Sequence, residues 1–136
     1  MRISVLVFLV LAAAAAAQPY HYEPELTTLT GTLKNDKVFY GPPGYGQDPK
    51  HDEKEVPERL VLEVPIAIEP VKGDRFNQAV KDVKELTIVH GKVKDVRPFL
   101  DQRVKAIGKL FEAHTGHHHT PALIDLESLE LAPKSK

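Results

Sequence analysis

The sequence predicts a mainly β domain: a small five-stranded barrel of the OB-fold type, with one or two short helices. Two observations predict it. Apolar and β-branched residues recur with period two in five short segments. A proline-led stretch that reads as a helical turn falls between the third and fourth segments. A small β-sandwich or a four-stranded α+β roll is the alternative. It follows from the OB assignment that the two most unusual stretches fall between strands one and two and between strands four and five, where such a barrel carries the loops that flank its binding face.

The first strand is expected at Leu29-Thr30-Gly31-Thr32-Leu33, which alternates and is rich in threonine. The second is Leu60-Val61-Leu62-Glu63-Val64, ending at Pro65. The third is the short β-branched Leu86-Thr87-Ile88-Val89. The fourth runs from Arg103 to Phe111, with Val104, Ala106, Gly108 and Leu110 on one face. The fifth runs from Ala122 to Leu131. Asp74 is placed to cap a helical turn carrying Phe76, Val80 and Val83. Pro98-Phe99-Leu100-Asp101-Gln102 is the second helical piece.

The chain of 136 residues has room for one domain. Met1-Arg2 is a short positive start, Ile3 to Leu11 is apolar, and Ala15-Ala16-Ala17 has the small-residue spacing of a cleavage site. This pattern predicts a secretory signal peptide over residues 1–17, with Gln18 as the first mature residue. The apolar run is shorter than the ~20 residues a spanning helix needs, so no membrane anchor is expected after cleavage. The resulting division is a signal peptide at 1–17, an extended leader at 18–28, the barrel at 29–131 and a loose tail at 132–136. The expected compartment is the periplasm or the extracellular space. There is no cysteine, which excludes a disulfide, a thiolate zinc site and a cysteine nucleophile. A formal net charge of −1 does not suggest a strongly basic surface, although it leaves room for a local patch, and nucleic acid is not expected as a partner.

The loop between strands one and two opens with Gly41-Pro42-Pro43-Gly44-Tyr45-Gly46, a proline pair held between glycines. Phe39, Tyr40 and Tyr45 lie beside it. Such rings either stack on a ligand or pack over the barrel end. Tyr40, Pro42, Pro43 and Tyr45 are the candidate ligand contacts. Gln47 to Glu58 carries five acidic and two basic residues and reads as a solvated, mobile stretch.

The loop between strands four and five is Ala113-His114-Thr115-Gly116-His117-His118-His119-Thr120-Pro121, which holds four of the seven histidines. Side chains at i and i+2 of an extended chain point the same way, so His117 and His119 are placed to share an ion. His114 is the third candidate ligand, with oxygen from Glu112 or Asp125. Zinc or copper would suit such a set. His118, turned away, is a candidate ligand contact. The same loop also reads as a structural one held by its own side-chain bonds, or as a pH-responsive one.

Catalytic signatures are missing. After residue 17 the serines are Ser128, in mid-strand, and Ser135, in the tail, and neither has a nucleophile elbow around it. No P-loop, GxGxxG or HExxH occurs. An enzyme is not expected, and no cofactor is expected beyond the metal just weighed.

Three pieces together resemble a bacterial family of exported proteins catalogued as domain of unknown function 4431. They are Leu29-Thr30-Gly31-Thr32-Leu33 with Phe39-Tyr40-Gly41-Pro42-Pro43-Gly44-Tyr45, Leu60-Val61-Leu62 leading to Pro65-Ile66, and the string from Gly108 to Pro121. The chain departs from the family pattern at Gly44, near Gly46, and at Ala67 and Ile68. The resemblance implies export and fold. It assigns no activity and carries over no catalytic residue. The expected function is a non-catalytic binding module for an envelope protein or polymer, with a zinc- or copper-binding protein as the alternative.

Overall fold

The computed structural model describes residues 19–134. The expected signal peptide, Gln18 and Ser135 lie outside the described residues. The strands are β1 (Tyr20–His21), β2 (Leu26–Lys34), β3 (Phe39–Tyr40), β4 (Lys54–Glu55), β5 (Arg59–Glu69), β6 (Val80–Val89), β7 (Arg103–Glu112) and β8 (Ala122–Leu131). One 3-10 turn, Arg97–Phe99, lies between β6 and β7.

Five of these strands close on themselves. β5 pairs with β2, β2 with β7, β7 with β8, β8 with β6, and β6 returns to β5. All these pairings are antiparallel except β6 with β8, which is parallel through Leu86–Ala122 to Val89–Asp125. In chain order the barrel strands neighbour one another as one-two-three-five-four-one. This is the expected closed, five-stranded, OB-like arrangement, with helix reduced to a single 3-10 turn.

Alternation explains the core. In β7 every second residue from Val104 to Leu110 is buried, and in β2 Thr27, Leu29, Gly31 and Leu33 turn inward. They meet Leu60, Ile68, Val83, Leu86, Ile124 and Leu126. Val96, just before the 3-10 turn, is buried, and Phe99 and Leu100 pack partly against the same cluster. Leu123 and Ile124 are both buried because β8 has neighbours against both of its faces at that point.

Several boundaries differ from the sequence expectations. β2 begins at Leu26, inside the stretch read as leader. The rest of that leader is tied down: β1 pairs in parallel with Ile68 and Glu69, and Tyr22 is buried. The Tyr22 hydroxyl donates to the Gln78 carbonyl at 2.6 Å. Burial, helped by the Glu112 charge, pushes the phenol pKa up to about 12. β5 continues through Pro65. The register jumps from Val61–Glu85 to Ile66–Val83 there, and this bulge spares proline a ladder position that would need its missing N–H. The helical turn expected after Asp74 does not form. Asp74 accepts the Phe76 N–H at 2.8 Å and closes a local turn, while Val80 and Val83 belong to β6 and pair with Ile68 and Ile66. Apolar spacing of three residues is ambiguous over so short a stretch, and the sheet partners decide it.

β2 and β5 pair only from Gly31–Leu62 to Lys34–Arg59, then splay. The gap is a groove of about 740 Å³ bordered by Tyr20, Thr28, Leu62, Val64, Ile66 and Asp82. Gly31 sits where the splay starts. A Cβ there would lie 2.3 Å from the Val61 carbonyl oxygen, which is backbone and cannot swing aside. Gly31→Ala is therefore expected to destabilise the domain by about 2 kcal/mol, as overpacking does. Urea denaturation of the two proteins measures it. A midpoint equal to wild type would mean that the two strands do not approach this closely.

Candidate functional site

The loop between β2 and β5 is built around one carboxylate. Asp52, buried, accepts N–H bonds from Gly44 at 2.7 Å, Gly46 at 2.8 Å and Asp48 at 3.1 Å. Burial pushes its pKa up, but the bonds from Gly46, Gly44 and Asp48 outweigh that and hold it below the ordinary range. Glycine is needed twice. A Cβ on Gly44 would lie 2.6 Å from the Asp52 carboxylate, and Gly46 has φ +97°. The Gly41 N–H donates to the Glu53 carbonyl and the Glu53 N–H to the Pro42 carbonyl, extending the short β3–β4 hairpin. The stretch read as solvated and mobile is thus tied to the proline turn by its own aspartate.

The loop between β7 and β8 is anchored at Thr120, which is buried. Its hydroxyl donates to the Ala122 carbonyl at 2.7 Å and accepts the Thr87 N–H at 2.9 Å. One hydrogen is then spent, so the Thr87 hydroxyl is the donor in the 2.8 Å bond between the two hydroxyls. The histidine loop is fastened to β6 by this network.

The two loops meet at Glu55. Its carboxylate accepts from His119 Nε2 at 2.6 Å and from His117 Nδ1. A carboxylate only accepts, so His117 carries its proton on Nδ1 and His119 on Nε2. The His119 bond, against burial and with help from His117, holds the Glu55 carboxyl below the usual range. The Phe39 ring stacks on His119 with centroids 4.7 Å apart and planes 14° apart, and the Lys37 ammonium sits 5.0 Å from the Phe39 centroid. A side chain on Gly116 would meet the Tyr45 ring at 2.7 Å, so the tyrosine lies directly against the histidine loop.

The histidines divide into two pairs. His114 and His118 turn to other neighbours. The His114 N–H donates to His118 Nδ1 at 3.0 Å, and His114 Nδ1–H donates to the Glu112 carbonyl at 3.1 Å. His118 stands edge-on to Phe111, with centroids 5.8 Å apart. Burial first, and then the other loop histidines, lower its pKa. That favours the neutral ring, whose Nδ1 can accept. His114 therefore does not join His117 and His119 as a third ligand. Glu112 and Asp125 lie elsewhere: the Glu112 carboxylate accepts the Gln78 N–H, and the Asp125 carboxylate lies against Gly91. The carboxylate facing His117 and His119 is Glu55, and it lies between the two rings. Among the described residues no three His, Asp or Glu side chains stand at metal-holding spacing.

Of the four candidate ligand contacts on the proline loop, Tyr45 is 55% exposed, Pro43 is exposed, Pro42 is half-buried, and Tyr40 is partly covered beside Gly46. His118 is set apart from them against Phe111. Sequence reasoning missed Glu55 and Asp52, submerged in a run of like residues. It also missed Thr120 and Thr87, whose meeting depends on the parallel pairing. Alternation across Lys54-Glu55 was the one available signal for Glu55, and it is too short to read.

The fold and the joined loops define a small OB-like β-barrel whose two flanking loops are locked together. Residues 85–130 match the model of a family described as Domain of unknown function (DUF4431), the family its motifs resemble. The matched stretch runs from within β6 to β8 and takes in the whole histidine loop. The Leu29–Leu33 segment and the proline loop lie before it. Searches of curated proteins and of solved structures found no match.

The Glu55 bonds make a pH prediction. A carboxyl whose pKa is lowered by folding stabilises the fold above its ordinary value of about 4.5 and loses that contribution as pH falls through the lowered value. Wild type should melt above Glu55→Gln at neutral pH, and the gap should shrink steadily below about pH 4.5. Thermal melts from pH 7 to pH 3 measure it. A gap independent of pH would refute the ionic clasp.

Proposed function

We propose that this protein is an exported, periplasmic or extracellular, non-catalytic binding module, and that its ligand is an envelope protein or polymer. The observation that carries the reading is the clasp at Glu55, which joins the two loops an OB barrel uses for binding. The joined loops form a preformed surface, so little ordering is needed when a ligand binds. Tyr45 and Pro43 are exposed on it, and Val38 and Val56 add apolar surface nearby. Tyrosine supplies broad contact with few rotatable bonds and a polar tip. Export rests on the charge, apolar run and small residues of the first 17 positions. In a pull-down from envelope extract, the wild-type chain should capture a specific partner, and Tyr40→Ala/Tyr45→Ala should lose it. Equal capture by the double variant would place binding elsewhere.

A second reading is favoured by the convergence of His117 and His119 on one carboxylate. The three side chains do not stand at metal-holding spacing as they are, so zinc or copper would have to draw them together and send the two imidazole protons to the opposite ring nitrogens before His117 Nδ1, His119 Nε2 and a Glu55 oxygen could act as ligands. Mass spectrometry of tag-free protein from its own compartment tests it. Near-stoichiometric metal in wild type, lost in His117→Ala/His119→Ala, is the result this reading requires. Metal-free wild type at micromolar free ion would end it.

A further inference from the structure

A second concave feature lies where the leader, the loop after β5, the end of β7 and the histidine loop come together. It is a hollow of about 190 Å³ lined by Glu23, Asp74, Phe76, Asn77, Phe111 and His114. None of these residues belongs to the Tyr40–Tyr45 surface.

Three rings form its walls. Phe76 and Phe111 have centroids 5.7 Å and 5.9 Å from that of His114, at interplanar angles of 56° and 55°. His118 backs His114 edge-on, with centroids 4.8 Å apart. Rings tilted in this way make a cup, whereas stacked rings would fill the space themselves. Phe76 is 53% exposed, a large apolar ring left in water at the mouth of the hollow.

The cup is held from beneath. Asn77, buried, accepts the Glu112 N–H at 3.0 Å through Oδ1 and donates to Asp74 at 2.9 Å through Nδ2. The Tyr22 hydroxyl fixes the next residue, Gln78, through its carbonyl.

The charge is negative. Asp74 and Glu23 both line the hollow. The bond from the Phe76 N–H, with those from Asn77, keeps the Asp74 carboxyl below its ordinary pKa, so it is ionised. The Arg75 guanidinium already lies 5.4 Å from the Phe76 centroid, a cation of this same chain drawn to that ring.

Aromatic walls with a carboxylate charge beside them attract cations, and quaternary ammonium groups are the usual guests of such cages. The hydrogen bonding narrows the choice. Asp74 accepts from the Phe76 N–H and from the Asn77 N–H and Nδ2, so its acceptor sites are largely spent while its charge remains. A primary ammonium wants fresh acceptors; a quaternary one wants only charge and π faces. The volume is below the ~300 Å³ at which pockets for drug-sized ligands begin, which suits one headgroup and not a whole metabolite. We propose that this cup binds a quaternary ammonium group, the trimethylammonium of choline or a betaine.

Calorimetric titration of the full chain with choline and with its neutral isostere 3,3-dimethylbutan-1-ol is the test. Choline should saturate with a dissociation constant on the order of 1 mM, as one headgroup can give. The neutral isostere should bind at least roughly fivefold more weakly, because it lacks the cation–π attraction. Phe76→Ala, at an exposed ring whose loss leaves the core intact, should weaken choline roughly fivefold or more, and His114→Ala should do so too. No saturation by about 50 mM choline, equal binding of the isostere, or unchanged affinity in Phe76→Ala would overturn the proposal. Sedimentation with phosphatidylcholine vesicles then tells the source of the group. Choline-inhibited sedimentation assigns the lipid headgroup, and choline binding without sedimentation assigns a soluble ligand.

Discussion

The parallel pairing of β6 with β8 is the constraint on which the rest of the molecule depends. Leu86 to Val89 lie beside Ala122 to Asp125, and this is the pairing that shuts the barrel. Parallel neighbours cannot be joined by a tight hairpin. The chain therefore leaves β6, passes through the Arg97–Phe99 turn, runs up β7 and returns before β8 can dock. That route puts the start of β8 next to the start of the β5–β6 ladder, where Leu60 faces Leu86. The histidine loop is delivered to the proline loop as a result, and the Thr87–Thr120 bonds secure it there.

With no cysteine in the chain, cohesion in the long loops comes from side-chain bonds to the backbone and between charges. Asp52 organises one loop from within. Glu55 links it to the next. Arg59, its guanidinium almost wholly buried, holds the base of the same loop by bonds to Asp36 at 2.6 Å and to Glu85 at 2.5 Å. A buried guanidinium left without both carboxylates would be costly, so Asp36 and Glu85 are bound to it as a set. These loops are long by the standards of compact domains, and each is nevertheless tied at several points.

Much of the barrel was legible in the sequence because period-two burial is a local property. β7 shows it residue by residue, β8 only over Ile124 to Glu127 because Leu123 is buried as well, and the expected limits of both strands agree with the structure to within a residue. β5 and β6 were read short. Pro65 and the mixed Val80–Glu85 stretch carry no clean alternation, and they become strand only by pairing with each other around a bulge. The turn after Asp74 failed as a helix for the same reason: the local pattern allowed two states and a distant strand selected one. The loops containing the candidate site could be named, but not their internal wiring. His114, His117, His118 and His119 look alike in sequence. Their division into two pairs depends on where Glu55 and Phe111 arrive, more than sixty residues away in the first case. Asp52 and Glu55 sit among similar acids, and only the fold distinguishes an organising carboxylate from a solvated one.

Because one carboxylate serves both imidazoles, the two loops cannot drift in sequence separately. A change at Glu55 strands two donors in a loop some sixty positions downstream, and a change at His119 also uncovers Phe39. Substitutions tolerated at these positions should therefore come in matched sets across the loops. Variation at exposed neighbours such as Gln47 and Lys50 is free of that bond.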